Sequence, residues 1–83
     1  MKPILFKLEN CHKCEIAKDY LDKKNIEYKS VLLSKKIDTW TNEQKSLTEK
    51  HKVVPELKKT APVLACDNGL FTGYLSIKKW ANE

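Results

Sequence analysis

Apolar residues along this chain recur first as a continuous run, then at helical spacing, then in alternation, and each change of period marks an element. Residues 3–8, Pro-Ile-Leu-Phe-Lys-Leu, form a short apolar run ending at Glu9-Asn10, which predicts a buried strand preceded by a proline. From Cys11 the period becomes helical. Cys14, Ala17 and Leu21, with Ile16 and Tyr20 beside them, share one face, while Lys13, Glu15, Lys18, Asp19, Asp22 and Lys23 are polar. Asn25 is placed to stop this helix in the left-handed conformation. Residues 26–33, Ile-Glu-Tyr-Lys-Ser-Val-Leu-Leu, alternate and then become continuously apolar, predicting a second strand. Strand, helix, strand in succession implies a parallel crossover.

The pattern weakens between residues 34 and 60. Thr41-Asn42-Glu43-Gln44 fits a capping box opening a helix that runs to about Lys52, with only Leu47 and His51 to give it an apolar face; Pro55 is expected to end any helix. After Pro62 the signals sharpen. Val63-Leu64-Ala65-Cys66, Asp67-Asn68-Gly69 and Leu70-Phe71-Thr72 read as strand, Asn-Gly turn and strand. Ser76 is the expected cap of a last helix whose Ile77, Trp80 and Ala81 fall at i, i+3 and i+4. Trp40 and Trp80 read as packing residues and His51 as a rim residue of the second helix. The predicted order is βαβαββα, an α/β chain. No repeat, low-complexity tract or Gly/Ser linker divides it, so residues 1–83 are expected to form a single domain.

Composition narrows the function. With 83 residues, 41% apolar and 33% charged, the chain is long enough for one small core, burying about 60% of its unfolded surface. It has no apolar run approaching a membrane span, and Lys7 and Glu9 interrupt its first ten residues before a secretory leader could develop, so a cytoplasmic, soluble protein is expected. All sixteen basic residues are Lys and none is Arg, which removes the planar fork that reads guanine edges. The pairs at 23–24, 35–36, 58–59 and 78–79 are scattered and lack interleaved aromatics, so a solvated cationic surface is expected and nucleic acid is not. The net charge of +5 can nonetheless steer the domain toward acidic proteins or anionic thiols.

Three cysteines do not make a paired disulfide framework, but two of them stand as Cys11-His12-Lys13-Cys14 where a strand gives way to a helix. Unpaired N–H groups and a partial positive charge at a helix start favour a thiolate on the first cysteine. Cys11 would therefore be a nucleophile. Cys14, one turn along on the apolar face, would resolve the mixed disulfide that Cys11 forms with a substrate. His12 and Lys13 add one titratable and one fixed cationic group that favour the thiolate further, which predicts a rather oxidising pair. Two thiolates at this spacing also suit Cu(I) or Zn(II), the rival reading of a metal-handling module. A structural zinc site would need further ligands from Cys66, His12 or His51, yet Cys66 lies in an apolar run and reads as a buried small hydrophobe, and no second C-x-x-C completes the set, so no metal site is assigned. A third possibility, an inert bridge in an interaction domain, conflicts with the exchange activity of disulfides at helix starts.

The order βαβαββα, Cys11-His12-Lys13-Cys14 at the first helix, Thr60-Ala61-Pro62 opening the third strand and Asn68-Gly69-Leu70-Phe71-Thr72-Gly73-Tyr74 together resemble the glutaredoxin branch of the thioredoxin fold, over nearly the whole chain. The resemblance implies a four-stranded mixed sheet flanked by helices and a monomeric thiol-disulfide oxidoreductase with no tightly bound cofactor and glutathione as co-substrate. It implies a cis proline at Pro62, packed against the active-site thiols, and a backbone at Ala61 that pairs with the substrate as an added strand. By the same resemblance Thr60, Gly73 and Tyr74 would line the substrate site, and Lys7 and Lys13 would stand in for the family's lysine ahead of the first cysteine. The chain departs from the family in having His12-Lys13 where Pro-Tyr is usual and Ala61 where Val is usual. It has Tyr74-Leu75-Ser76 where glutaredoxins place an acidic pair that holds the glutathione γ-glutamyl group; Ser76 and the last helix start could hold a carboxylate instead. Residues 34–60 are longer than in compact bacterial glutaredoxins and more like the phage type. Thr72-Gly73-Tyr74 is also similar to the Ser-Gly-Phe of redoxins that donate electrons to ribonucleotide reductase and are recharged by thioredoxin reductase.

Overall fold

Ile4–Leu8 (β1) pairs on both sides, in parallel with Lys29–Leu33 (β2) and antiparallel with Val63–Cys66 (β3), which pairs antiparallel with Gly69–Thr72 (β4). The sheet order is β2-β1-β3-β4. The structure, a computed structural model, describes residues 2–82. Its helices are α1 (His12–Lys23), α2 (Asn42–His51), α3 (Val54–Lys59) and α4 (Tyr74–Ala81), with a 3-10 turn at Ile37–Thr39.

Period-two alternation in β1 sends its side chains to two separate cores. Ile4 and Phe6 join Val31, Leu33, Val63 and Ala65 on the face covered by Trp40, Val53 and Leu57. Leu5 and Leu64 meet Ala17, Leu21 and Ile77 on the opposite face, between α1 and α4. Leu5, Phe6, Leu21 and Leu64 are completely buried, and each such side chain contributes about 1.5–3 kcal/mol. Trp40 is core as expected; its indole N–H donates to the Ser34 carbonyl at 2.8 Å.

The helix ends follow from particular residues. α1 closes in a Schellman motif with Asn25 in the left-handed region (φ 57°): Ile26 N–H donates to Leu21 O and Asn25 N–H to Asp22 O. Because Ile26 is used in closing the helix and packs on the α1–α4 core, β2 begins at Lys29 rather than at residue 26. α2 opens on the complete capping box, with Gln44 N–H donating to Thr41 Oγ1 at 3.1 Å and Thr41 N–H to Gln44 Oε1 at 2.9 Å.

Further expectations need correction. Pro55 does not end the helical region; it sits in the first turn of α3, where a proline lacks nothing the helix needs, so the order gains a helix. The β3–β4 turn bends on Asp67-Asn68, and Gly69 is already the first residue of β4, carrying the positive φ of 125°. His51, at the end of α2, is partly exposed at the rim as expected, and its ring packs 6.2 Å from the ring of buried Phe6. Cys66 is partly exposed rather than buried, because it ends β3 beside the turn.

Candidate active site

Strand directions bring the C-terminus of β1, the N-terminus of β3 and the C-terminus of β4 to one edge of the sheet, since Phe6 faces Val63 and Val63 faces Thr72. Both α1 and α4 start at that edge. Cys11, Thr60-Ala61-Pro62 and Gly73 therefore gather there, while Cys66, next to the residue paired with Ile4, lies at the opposite edge.

Cys11 is the N-cap of α1 and partly exposed, with extended backbone (φ −115°, ψ 106°), and its Sγ accepts the Cys14 N–H at 3.2 Å. Cys14 is fully buried on the face that also buries Ala17 and Leu21. The two form a disulfide with their Cα atoms 5.2 Å apart. One sulfur is thus reachable from solvent and the other is shielded behind it, within one helical turn. Asn10 reaches this cap through a left-handed φ of 52°, a conformation that asparagine tolerates better than most residues.

The other predicted site residues divide into those at this edge and those turned elsewhere. His12 and Lys13 are exposed in the first turn of α1. Thr60 caps the end of α3, Pro62 is buried, and the Ala61–Pro62 peptide bond is cis. Gly73 N–H donates to Pro62 O at 2.8 Å, tying the end of β4 to the proline loop. Lys7 is almost entirely buried on the α1 side of β1, and its ammonium lies 3.9 Å from Glu15 Oε1, so it underpins the helix start. Tyr74 stacks edge-on against Tyr20 with ring centroids 6.2 Å apart, in the seam between α1 and α4.

Ser76 does not cap α4. The helix is capped three residues earlier, on Gly73, whose φ of 86° swings the chain off the strand, and Ser76 is left exposed in the first turn. That first turn carries no acidic residue, and Leu75 is 77% exposed on it. The buried lysine and the exposed leucine are site-edge features that apolar and polar periodicity did not single out; Lys7 inside the run Ile-Leu-Phe-Lys-Leu was the available signal.

The shifted titrations sit away from the sulfurs. Burial, then the hydrogen bond from its hydroxyl to Asp22 Oδ1 at 2.8 Å, push the Tyr28 phenol up to about 12. The same bond, followed by the 3.1 Å contact with Lys18, holds the Asp22 carboxyl below the usual carboxylate range. Among the described residues, no three His, Cys, Asp or Glu side chains come together as a metal cluster would require.

No protein-family model and no curated protein matches the sequence. Solved structures do. Glutaredoxin 1 from Francisella tularensis, solved in complex with cacodylate, superposes with a TM-score of 0.63 at 18% identity, over 98% of this chain and 92% of that one. A glutaredoxin from Archaeoglobus fulgidus gives a TM-score of 0.64 at 18% identity, over 94% of this chain and 83% of that one. The chain has the glutaredoxin form of the thioredoxin fold.

Proposed function

We propose that this chain is a thiol-disulfide oxidoreductase in which Cys11 attacks and Cys14 resolves. The observation that carries the reading is the pairing of a partly exposed helix-capping sulfur with a fully buried one in disulfide contact. In the reduced protein, the Cys14 N–H and the helix start stabilise a Cys11 thiolate. This thiolate attacks one sulfur of a substrate disulfide, forming a mixed disulfide and releasing the other sulfur as thiolate. The Cys14 thiolate then attacks Cys11 Sγ, which regenerates the Cys11–Cys14 disulfide and releases the second substrate thiolate. Two electrons from an external dithiol or from two glutathione molecules return the pair to its starting state.

Pro62 and the backbone of Ala61, at the same edge, would align the substrate as an added strand. Glutathione is the first candidate reductant, and proteins bearing reducible disulfides, ribonucleotide reductase among them, are the candidate substrates. A second reading has its own support: the acid-free first turn of α4, with exposed Leu75, offers nothing to pair with a γ-glutamyl ammonium and favours thioredoxin reductase as electron donor.

The test is NADPH consumption on a small disulfide, with glutathione and glutathione reductase in one cuvette and thioredoxin reductase alone in the other. Turnover in the first supports the glutathione reading and turnover only in the second the alternative. Cys11→Ser should abolish both; full activity in that variant would sink the mechanism.

A further inference from the structure

A large cavity among the described residues lies away from the cysteines. It opens between the 3-10 turn, α2 and α3, with a volume of about 540 Å³, inside the range of roughly 300–1,000 Å³ typical of ligand sites. Ile37, Trp40, Val54 and Pro55 supply its apolar walls, and Lys45 and Lys52 stand at its rim against the single acid Glu49. A smaller cavity of about 180 Å³ shares Ile37, Trp40 and Val54, continues to Leu8, and adds Lys35 and Lys58. The two make one apolar trough bordered by four lysines and one glutamate.

Lys52 gives a second, independent observation. It adopts φ 55° and ψ 41°, the left-handed conformation that costs a lysine more than a glycine or asparagine. The chain uses asparagine at its other two described non-glycine positions of positive φ, Asn10 and Asn25. At residue 52 it keeps a long cationic side chain despite the strain, and that side chain lines the cavity.

We propose that this trough is a docking groove for an acidic segment of a partner protein, seated by one or two large apolar side chains. Apolar walls with a cationic rim fit an amphipathic segment whose Leu or Phe enters while its Asp and Glu meet the lysines. A phosphodiester backbone has nothing to bury against Ile37, Val54 and Pro55. A second copy of this chain would bring the same lysines and its own net charge of +5 against them. The proposal goes beyond the exchange chemistry and does not rest on it.

The test is fluorescence anisotropy of a labelled peptide in which Phe and Leu, four residues apart, are flanked by Asp and Glu. The unaltered protein binds it at low salt and more weakly at high salt. Lys45→Glu with Lys52→Glu weakens binding about tenfold. Lys50→Glu, exposed on the same helix but outside the groove, changes it less than about twofold. Lys52→Gly relieves the left-handed strain, so it melts at a higher temperature while binding less tightly, which separates docking from folding. Absence of binding by the unaltered protein would overturn the proposal, as would equal losses in the Lys50→Glu and double variants. A dimer in sedimentation that Ile37→Glu disperses would assign the groove to a second copy and overturn it as well.

Discussion

Replacing Gly73 with alanine should destabilise the domain by about 2 kcal/mol, because its backbone at φ 86° and ψ 160° lies where a side chain costs on the order of 1–3 kcal/mol. Crowding adds to this. A β-carbon built there would lie 3.3 Å from Thr60 Cγ2, so the threonine at the end of α3 must give way by a few tenths of an ångström. The loss is large against the roughly 5–15 kcal/mol that stabilises a domain, and at this size it corresponds to a melting temperature lower by about 8–16 °C. Urea unfolding followed by tryptophan fluorescence measures it, with thermal unfolding by circular dichroism alongside. Gly69→Ala is the internal comparison, since its φ of 125° is also positive but nothing lies within 4 Å of the added carbon. Thr60→Ser in the Gly73→Ala background removes the crowding methyl and should return less than about 1 kcal/mol. A loss below about 0.5 kcal/mol would refute the claim that this corner requires glycine. Complete recovery in the double variant would show that crowding, not backbone conformation, is the cause.

Cys14→Ser should trap mixed disulfides on Cys11 while leaving any one-thiol removal of glutathione intact, and failure to accumulate such adducts, read by mass spectrometry, would count against the resolving role. Cys66→Ala should retain most disulfide reductase activity, because Cys66 lies at the sheet edge opposite Cys11; a large loss in folded protein would contradict that placement. The Tyr28 phenol is raised to about 12 in the folded state, above an ordinary value near 10. A raised folded value means that its contribution is complete below about pH 10 and disappears as pH climbs toward 12. Tyr28→Phe should therefore be less stable near neutrality by up to about 1 kcal/mol, and the difference should shrink between pH 10 and 12. Melting curves of the two proteins that stay parallel across that range would refute the assignment.

What could be read from the chain was whatever a local rule decides. The capping box at Thr41 and Gln44, the asparagine stop at Asn25 and the three-residue face of α1 each depend on neighbours within one helical turn. Cys11 and Cys14 were legible for the same reason, because an N-cap sulfur and a buried one three residues on are properties of a single turn. Positions decided by tertiary context were not. Pro55 is compatible both with stopping one helix and with starting another, and only the packing of Val54 and Leu57 against the sheet selects the second. Ser76 is a better cap than glycine by propensity, yet the chain must leave β4 at Gly73 to bond Pro62, which fixes the helix start three residues sooner. Lys7 sits in an apolar run, and nothing local distinguishes a buried lysine reaching for Glu15 from one that snorkels to water.

The position of β1 between two partners has a kinetic consequence. Opening that costs least free energy begins at the outer strands, β2 and β4, whose free edges fray without disturbing the centre. Amide protons of Leu5 and Phe6 should thus exchange with solvent only in near-global unfolding, and the loop bearing Cys11 is tethered to this slowest-exchanging segment. Breathing at either margin leaves Cys11 in register with Cys14, so the domain can yield at its outer strands without losing the geometry of the cysteine pair.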